Sequence, residues 1–366
     1  MSHPGGRSGR IAILTSGGDA PGMNSALRGV ARVADRLGVE LVGVEEGYKG
    51  LLAGRFVALD RRQLEDAARR GGTWLGTARS KIFPTPEGQA TARQALLDGG
   101  IYGLVVIGGN GSLAGARALG GSLAHDGKPV QIAGIPASID NDLGCTSMAI
   151  GVDTAMNTIV EACDRILDTA TAHRRTFLVE VMGRECGYLA MTAGIAAGAD
   201  CVLVRESGRS EAEIVDQVVR AVERAYSDDA GRKRVLVLKA AGVTLDTAKL
   251  KEAVDAAVSA RMPDVDSRVT VLGHVVRGGT PTAFDRLLGA RLGNVALRAL
   301  LDGQSDFMAG WFGPGVGGTP SPHDPYVVTT PLETVLAETQ KLLAGDSELA
   351  RWRRTIYGEV ETLLAK

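Results

Sequence analysis

Three polar residues follow one apolar run of the sequence and have the types needed for acid–base chemistry. Ser138, Asp140 and Asp142 come directly after residues 130–136, which are predicted to form a buried strand. Residues two apart in extended backbone project from the same side, so the three side chains can address one point. One carboxylate would accept a proton from a substrate hydroxyl, and the other would help to hold Mg²⁺. The alternative is a turn rich in Asp and Asn that only caps the following helix.

Two other loops have the composition of phosphate-binding turns. Residues 15–24 and 108–115 each leave a predicted strand and open a predicted helix, and both are rich in glycine and small residues. Backbone N–H groups and the helix dipole at such positions favour phosphate. Neither loop contains the GxxxxGK(S/T) signature, and the acidic residue that a dinucleotide-binding loop requires is missing from the next strand. The pair indicates a long polyphosphate rather than NAD, although either loop alone can be an ordinary tight turn.

Basic side chains accumulate at loop positions and strand ends. Arg184 and Arg277 lie in glycine-containing turns after predicted strands, which is the setting of bidentate phosphate capture, and His274 stands near Arg277. A single surface arginine is usually only solvated, so the indication of phosphate binding comes from the whole set. The arginines of the set are Arg79, Arg175, Arg184, Arg268 and Arg277.

Apolar runs that alternate with amphipathic segments must position these loops. The helical segments are mostly about 8–19 residues long, and this alternation is typical of parallel sheets covered by helices on both faces. We therefore expect a doubly wound, Rossmann-like α/β fold with ligands at the carboxyl ends of its strands. The predicted strands are 10–16, 40–45, 102–108, 130–136, 176–182, 200–205, 234–239, 268–273 and 307–312. The predicted helices are 23–37, 63–70, 90–97, 112–119, 153–169, 188–197, 211–226, 248–260 and 283–301.

Overall composition limits the class of protein. The chain has 366 residues, which gives a prior of two domains of about 150 residues each. Hydrophobic residues make up 45% and charged residues 23%, so disordered and fibrous proteins are excluded. The net charge of −1 provides no global field for nucleic acid or an anionic membrane. The four cysteines form no CxxC pair, and neither a signal peptide nor a bilayer-length apolar stretch is visible, so we expect a cytoplasmic protein.

Six blocks of the chain, in order, resemble the motifs of the phosphofructokinase A family, and the resemblance extends over nearly the entire sequence. The blocks are LTSGGDAPGMN at 14–24, GTAR at 76–79, GGNGS at 108–112, IDND at 139–142, EVMGR at 180–184 and GHVVRGG at 273–279. The resemblance implies transfer of the γ-phosphoryl group of ATP, with Mg²⁺, to the 1-hydroxyl of fructose 6-phosphate. It also implies a homo-oligomer, a tetramer, in which sites are shared between subunits.

Two domains with the active site in the cleft between them are implied by the same resemblance. The nucleotide domain would contain residues 1–151 and about 276–325, and the phosphosugar domain would contain residues 152–275 and about 326–366. The glycine- and proline-rich segment 313–325 is predicted to be a surface loop, longer than the usual connection of the family.

Site residues are likewise implied by the resemblance. Asp140 would be the base, with Ser138 and Asp142 in the same catalytic cluster, and Arg184 would stabilise the transferring charge. Arg175 and Arg268 would come from a neighbouring subunit. The nucleotide set is Gly17, Tyr48, Arg79, Asn110, Gly111, Ser112 and Gly115, with Asn110 at the metal position. The phosphosugar set is Ser138, Asp140, Arg175, Met182, Gly183, Arg184, Arg268, His274 and Arg277.

Small residues at two positions favour ATP over pyrophosphate as donor. Pyrophosphate-dependent members of the family have Asp where this chain has Gly111 and Lys where it has Ala137. An acidic side chain in place of Gly111 would obstruct the α-phosphate of a nucleotide.

Four positions depart from the family pattern and leave alternatives open. Asn110 stands where the family has the Asp that supports Mg²⁺, so an inactive or weakly active phosphosugar-binding regulatory protein is one alternative. Ala241 stands where the family has a Glu that contacts a sugar hydroxyl, so a kinase for another ketose or amino-sugar phosphate is a second. Ser138 replaces a Thr and keeps the hydroxyl. Leu167 replaces an effector-contacting Arg, which argues against the family's usual allosteric regulation.

Overall fold

Strands and helices alternate through both compact units of the chain. The structure is a computed structural model that describes residues 9–227, 234–313 and 318–364. The first unit contains the described residues up to Ile139, then Leu143–Thr154 and Arg277–Gln340, and the second contains Asp140–Asp142, Ala155–Val276 and the described residues from Lys341 onward. The strands are β1 (Arg10–Ser16), β2 (Leu41–Val44), β3 (Phe56–Ala58), β4 (Ile101–Gly108), β5 (Gln131–Pro136), β6 (Arg175–Val181), β7 (Cys201–Leu203), β8 (Val235–Ala240), β9 (Asp266–Val271), β10 (Phe307–Trp311) and β11 (Val327–Pro331). The helices are α1 (Met23–Leu37), α2 (Gly47–Leu52), α3 (Arg61–Ala67), α4 (Pro86–Asp98), α5 (Asn110–Ala118), α6 (Val152–His173), α7 (Tyr188–Ala196), α8 (Glu211–Tyr226), α9 (Thr247–Val258), α10 (Ala283–Leu301), α11 (Leu332–Ala344) and α12 (Glu348–Leu364).

Each unit is built on its own sheet. The first unit has a seven-stranded sheet in the order β11-β10-β5-β4-β1-β2-β3, and the second has a four-stranded sheet in the order β7-β8-β6-β9. The smaller sheet is parallel throughout, whereas β3 and β11 pair antiparallel at the two edges of the larger one. Strands β4 and β5 are buried along their whole length because they lie in the interior of the sheet. The predicted α/β fold is confirmed.

All nine predicted strands and nine predicted helices occur, with their ends shifted by a few residues. The elements that the prediction omitted are β3, β11, α2, α11 and α12. Strands β3 and β11 are short and partly exposed at the sheet edges, so they lack a continuous apolar run. Helix α2 has only six residues, two of them glycine.

Strand β11 changes the division between the units. It pairs with β10 along its full length, so residues up to Gln340 belong to the first unit, whereas the sequence-based boundary placed everything after about residue 325 in the second. Strand β11 contains Thr and Pro, as edge strands do, and therefore lacks the continuous apolar run by which the other strands were predicted. Part of the predicted loop 313–325, residues 314–317, lies outside the described residues. Within the part of the chain that is described, no helix has both the length and the apolar composition needed to cross a membrane.

Helices α1 and α10 of the first unit approach each other closely, because glycines lie where they cross. A Cβ atom at Gly289 would lie 2.8 Å from the backbone nitrogen of Ala26, and one at Gly293 would lie 2.9 Å from the Ala26 carbonyl oxygen. From the other side, a Cβ atom at Gly29 would lie 2.9 Å from the Ala290 Cα atom. Any side chain at these positions would push the helices apart.

Asp285 of α10 is fully buried and joins this helix to the start of α6. Its Oδ1 accepts a hydrogen bond from the Gly151 N–H at 2.8 Å, and its Oδ2 accepts one from the Thr154 N–H at 2.8 Å and one from the Thr154 hydroxyl at 2.5 Å. Burial raises the pKa of the Asp285 carboxyl, although these hydrogen bonds act in the opposite direction. The buried carboxylate therefore accepts the Thr154 N–H in the first turn of α6 and the Gly151 N–H just before that helix.

Substituting Gly289→Ala is expected to lower the free energy of unfolding by about 1–3 kcal/mol, because the new methyl group meets backbone on the facing helix. Gly358→Ala is the matched control: Gly358 lies in α12, where a Cβ atom meets nothing within 4 Å, and the change is expected to add about 1 kcal/mol of stability through helix propensity. Thermal melting followed by circular dichroism measures both. A melting temperature for Gly289→Ala at or above that of the parent chain would contradict the close-approach explanation.

Candidate active site

The two predicted phosphate loops lie side by side in the first unit. Strands β1 and β4 are parallel neighbours, and their last residues, Ser16 and Gly108, are partners in the register. A Cβ atom at Gly108 would lie 2.4 Å from the Ser16 carbonyl oxygen, and one at Gly17 would lie 3.0 Å from the Ser112 Oγ atom. The loops can meet only because these positions are glycine. Together they form one surface rich in backbone N–H groups at the carboxyl edge of the sheet.

Both helices that start from these loops lack a side-chain cap. Gly22 precedes α1 and Gly109 precedes α5, and neither helix start receives a capping hydrogen bond from a side chain. The N–H groups and the positive end of the helix dipole at a helix start attract anions. Asn110, the predicted metal position, is the first residue of α5 and is half-buried.

Gly111 differs from Gly108 and Gly115 because no neighbouring protein atom requires it to be glycine. A Cβ atom at Gly111 would have no protein atom within 4 Å, and the residue is exposed. The next residue, Ser112, is buried. The absence of a side chain at Gly111 therefore leaves open space at the start of α5, on the exposed side of the loop.

Tyr48 and Gly115 support α5 from within the unit. The Tyr48 hydroxyl donates a hydrogen bond to the Ser112 carbonyl oxygen at 2.6 Å, and its ring stacks on Phe83 with a centroid distance of 3.9 Å. Burial raises the pKa of the Tyr48 phenol. A Cβ atom at Gly115 would lie 2.8 Å from both rings. These two residues position the loop, and their direct contact with a nucleotide stays a prediction.

Two more segments of the first unit converge on the loop that follows β1. The Thr77 hydroxyl donates to the Gly17 carbonyl oxygen at 2.9 Å, which ties the segment carrying the exposed Arg79 to that loop. Arg277 donates from Nη1 to the Asp19 carbonyl oxygen at 3.1 Å. A Cβ atom at Gly18 would lie only 2.7 Å from the same nitrogen. The guanidinium of Arg277 thus packs directly on the predicted nucleotide loop.

The predicted base cluster divides between the units. Ser138 follows β5 in the first unit, is half-buried, and donates its backbone N–H to the Ile150 carbonyl oxygen at 3.2 Å. Asp140 and Asp142 are half-buried and belong to the second unit. Asn141, between them, is fully buried and has a φ angle of 49°, in the left-handed region.

Strands β6, β8 and β9 present the predicted sugar-binding residues at the carboxyl edge of the second sheet. The Ala241 N–H donates to the Val181 carbonyl oxygen at 2.9 Å, and the Gly242 N–H donates to the Gly183 carbonyl oxygen at 3.0 Å. Gly183 has a φ angle of 122°, and a Cβ atom there would lie 2.5 Å from the Cys186 carbonyl oxygen. The segment Met182, Gly183 and Arg184 therefore lies beside Ala241. The exposed His274 follows β9 at the same edge.

A buried lysine lies next to this edge, and the sequence analysis assigned it no role. Lys239 of β8 is 1% exposed, and its ammonium group lies 3.2 Å from Oε2 of Glu180 on β6. The Thr247 hydroxyl donates to the same oxygen. The one sequence signal is a lysine inside an otherwise apolar strand, since charged side chains are almost never fully buried without a partner.

Arg175 lies at the opposite, amino-terminal edge of the same sheet, and Arg268 lies within β9, in register with Phe177 of β6. Nε of Arg175 is 2.8 Å from Oδ2 of Asp266, and Arg268 forms an ion pair with Oδ1 of that residue. Arg175 begins β6, whereas Met182 follows its end, and seven residues of strand span about 23 Å at 3.3 Å per residue. One copy of the chain therefore does not bring Arg175 to the edge that carries Met182, Arg184 and His274.

Comparison with known proteins identifies the family. The family model described as Phosphofructokinase matches residues 10–300. The chain is 46% identical over 301 residues to the ATP-dependent 6-phosphofructokinase 1 of Thermus thermophilus, covering 82% of this chain and 89% of the relative. It is 43% identical over 303 residues to the ATP-dependent 6-phosphofructokinase of Thermotoga neapolitana, covering 82% and 88%.

Solved structures show the same fold. Pichia pastoris phosphofructokinase in the T-state superposes with a TM-score of 0.83 at 33% identity, covering 95% of this chain but only 37% of that longer one. A pyrophosphate-dependent phosphofructokinase from Marinobacter aquaeolei gives a TM-score of 0.75 at 19% identity, covering 89% and 83%, which supports the fold alone. On the extent of the family match and the identity to its curated members, this chain belongs to the phosphofructokinase family.

Proposed function

We propose that this chain is an ATP-dependent 6-phosphofructokinase, which converts fructose 6-phosphate to fructose 1,6-bisphosphate in glycolysis. The observation that carries the proposal is the 43–46% identity, over 82% of the chain, to relatives that bear this name. Because ATP and phosphorylated sugars are intracellular metabolites, we expect the enzyme to act in the cytoplasm.

In the mechanism that we propose, backbone N–H groups position the donor phosphates, and a different group, the Asp140 carboxylate, accepts the proton. Phosphoryl transfer depends mostly on alignment and charge neutralisation, so the N–H groups at the starts of α1 and α5 would hold the phosphates of the donor. Asp140, with Ser138 and Asp142 beside it, would accept the proton of the sugar 1-hydroxyl as the hydroxyl oxygen attacks the γ-phosphorus. The bond between the γ-phosphorus and the bridging oxygen of the β-phosphate would break, and ADP would leave. Arg184 would neutralise charge on the transferring group.

Mg²⁺ is proposed as the metal. Among the residues that the structure describes, no group of three or more His, Cys, Asp or Glu side chains could hold a metal ion. Mg²⁺ that accompanies a nucleotide needs few protein ligands, since phosphate oxygens and waters supply most of them, and the amide oxygen of Asn110 is a suitable hard donor. When bound, the ion would neutralise phosphate charge.

Fructose 6-phosphate is the favoured sugar, and another ketose or amino-sugar phosphate is the second candidate. Ala241 is exposed at the carboxyl edge of the second sheet and offers no acceptor for a sugar hydroxyl. A substrate panel of ketose and amino-sugar phosphates separates the two candidates by their kcat/KM values.

A first prediction concerns the reaction itself. The purified protein with Mg²⁺ and fructose 6-phosphate is expected to release ADP from ATP and to make no bisphosphate with pyrophosphate. Asp140→Asn should reduce kcat by about 10²–10⁴-fold, because the amide cannot accept the proton. The ATP reaction is followed by coupling ADP release to a spectroscopic readout, and the pyrophosphate reaction is followed through the bisphosphate product. The circular dichroism spectrum of Asp140→Asn serves as the folding control. Two results for the folded parent chain would contradict the proposal: turnover with pyrophosphate but not with ATP, and no turnover with either donor.

A second prediction concerns the open space at Gly111. Gly111→Ala should raise KM for ATP without lowering the melting temperature, because the added methyl group meets no protein atom within 4 Å. Gly115→Ala should instead lower the melting temperature, because its methyl group meets the rings of Tyr48 and Phe83. Nucleotide binding measured by calorimetry gives the first effect, and thermal melting gives the second. Unchanged ATP affinity in Gly111→Ala would show that the nucleotide does not approach this position.

We further propose that the enzyme is a homo-oligomer, a tetramer, in which Arg175 and Arg268 of one subunit hold the 6-phosphate bound with His274 and Arg277 of another. The separation of Arg175 from Met182 along β6 supports this arrangement. Asp140→Asn and Arg268→Ala subunits should each be inactive alone. Refolded together, they should recover roughly one quarter of the parental activity, the frequency of intact pairings in a symmetric interface. No recovery in a verified mixed oligomer would place Arg268 outside a shared site.

A further inference from the structure

An arginine of the C-terminal helix contacts the segment that carries the proposed base. Nη1 of Arg353, in α12, donates a hydrogen bond to the Asn141 carbonyl oxygen at 3.0 Å. Asn141 lies between Asp140 and Asp142, and all three belong to the same compact unit as Arg353. The family match ends at residue 300, so α12 lies outside it.

The guanidinium of Arg353 is held by two further contacts. Its Cζ atom lies 4.5 Å from the centroid of the Tyr188 ring, a cation–π geometry, and Nη1 lies 3.5 Å from the Cys186 Sγ atom. Cys186 and Tyr188 directly follow the proposed sugar-binding segment that ends at Arg184. One side chain thus joins three parts of the second unit: α12, the Asp140–Asp142 segment and the start of α7.

The hydrogen bond from Arg353 is important because Asn141 has a left-handed backbone conformation. A left-handed φ angle is uncommon at non-glycine residues, although asparagine adopts it more readily than most, and surrounding contacts help to hold it. A hydrogen bond from a charged donor is stronger than one from a neutral donor. The bond from Arg353 fixes the orientation of the peptide group between Asn141 and Asp142, and through it the backbone from which both carboxylates project.

A cavity lies next to the Arg353 side chain. It has a volume of about 250 Å³, and its lining includes Met191, Val204, Leu342, Ala350 and Tyr357 as well as Arg353 itself. The Arg353 side chain therefore reaches the Asn141 carbonyl oxygen from beside a space that other side chains leave open.

We propose that Arg353 is a positioning residue for phosphoryl transfer: it holds the Asp140–Asp142 segment in the conformation that the reaction requires. The inference rests on the proposed kinase function. It assigns to a C-terminal residue, more than 200 positions away in the sequence, a role in the rate of the chemical step. Arg353 itself touches no reacting atom in this role.

The chain offers a matched control for the test. Arg354 is the next residue and lines the same cavity, but its Nη2 donates to the Gly345 carbonyl oxygen at 2.7 Å, in the turn between α11 and α12. Arg353→Met and Arg354→Met each remove one guanidinium and one hydrogen bond to a carbonyl. Only the first removes the bond to Asn141. Arg353→Lys keeps a charged donor at that place.

We expect Arg353→Met to lower kcat by about 10- to 100-fold, the effect of a small misplacement of a reacting group, and to leave KM for ATP unchanged. Arg353→Lys should recover part of the loss, and Arg354→Met should keep the parental kcat. Rates are expressed per folded site, so that a loss of stability alone does not count. Parental kcat in folded Arg353→Met, or an equal loss in Arg354→Met, would overturn the proposal.

Hydrogen–deuterium exchange provides a second measurement that does not need activity. The peptide containing Asp140–Asp142 should exchange faster in Arg353→Met than in the parent chain, and Arg354→Met should leave it unchanged. If the parent chain fails to phosphorylate fructose 6-phosphate, the proposed function fails, and the exchange rates alone then decide whether Arg353 holds the segment. Equal exchange in Arg353→Met and the parent would overturn the inference whatever the activity.

Discussion

The backbone-to-backbone packing of α1 and α10 is the constraint on which the rest of the first unit depends. Gly29, Gly289 and Gly293 permit an approach that no other residue would allow. Helix α1 begins at the end of the loop after β1, and α10 begins a few residues after Arg277. The same crossing therefore sets the distance between Arg277 and the loop it contacts through Asp19. Asp285, on α10, extends the constraint to the first turn of α6.

Glycine has two different uses within the site. Gly108 and Gly115 are required by neighbouring protein atoms, so their function is to let two segments of the chain meet. Gly111 has no such neighbour, and its missing side chain leaves the space that we propose for the nucleotide. A single glycine-rich motif thus contains residues that build the loop and a residue that leaves space beside it. The local sequence does not distinguish a glycine that protein packing requires from one that leaves open space, because both are simply glycines in a turn.

Much of the fold could be predicted because its central strands are continuous apolar runs. Strands β4 and β5 are buried along their whole length, and burial of that kind produces a clear pattern. The edge strand β11 contains Thr and Pro and was not predicted, because a strand at the edge of a sheet is only partly buried and needs no continuous apolar run. The glycine-rich loops could be located from the strands they follow. The contact of Arg353 with Asn141 could not, because it joins residues 212 positions apart that no local pattern connects.

The ion pair of Lys239 and Glu180 has a consequence for how this chain can evolve. Lys239 is 1% exposed, so replacing Glu180 alone would leave a buried ammonium group without a carboxylate. Losing one partner of such a pair costs about 3 kcal/mol or more, a large part of the 5–15 kcal/mol that keeps a typical protein folded. A mutational path that replaces Glu180 before Lys239 therefore passes through a poorly folded intermediate, whereas replacing Lys239 first leaves a carboxylate that is 24% exposed and still accepts a hydrogen bond from Thr247. Lineages that keep Lys239 are thus expected to keep Glu180, and the pair can be lost readily in only one order.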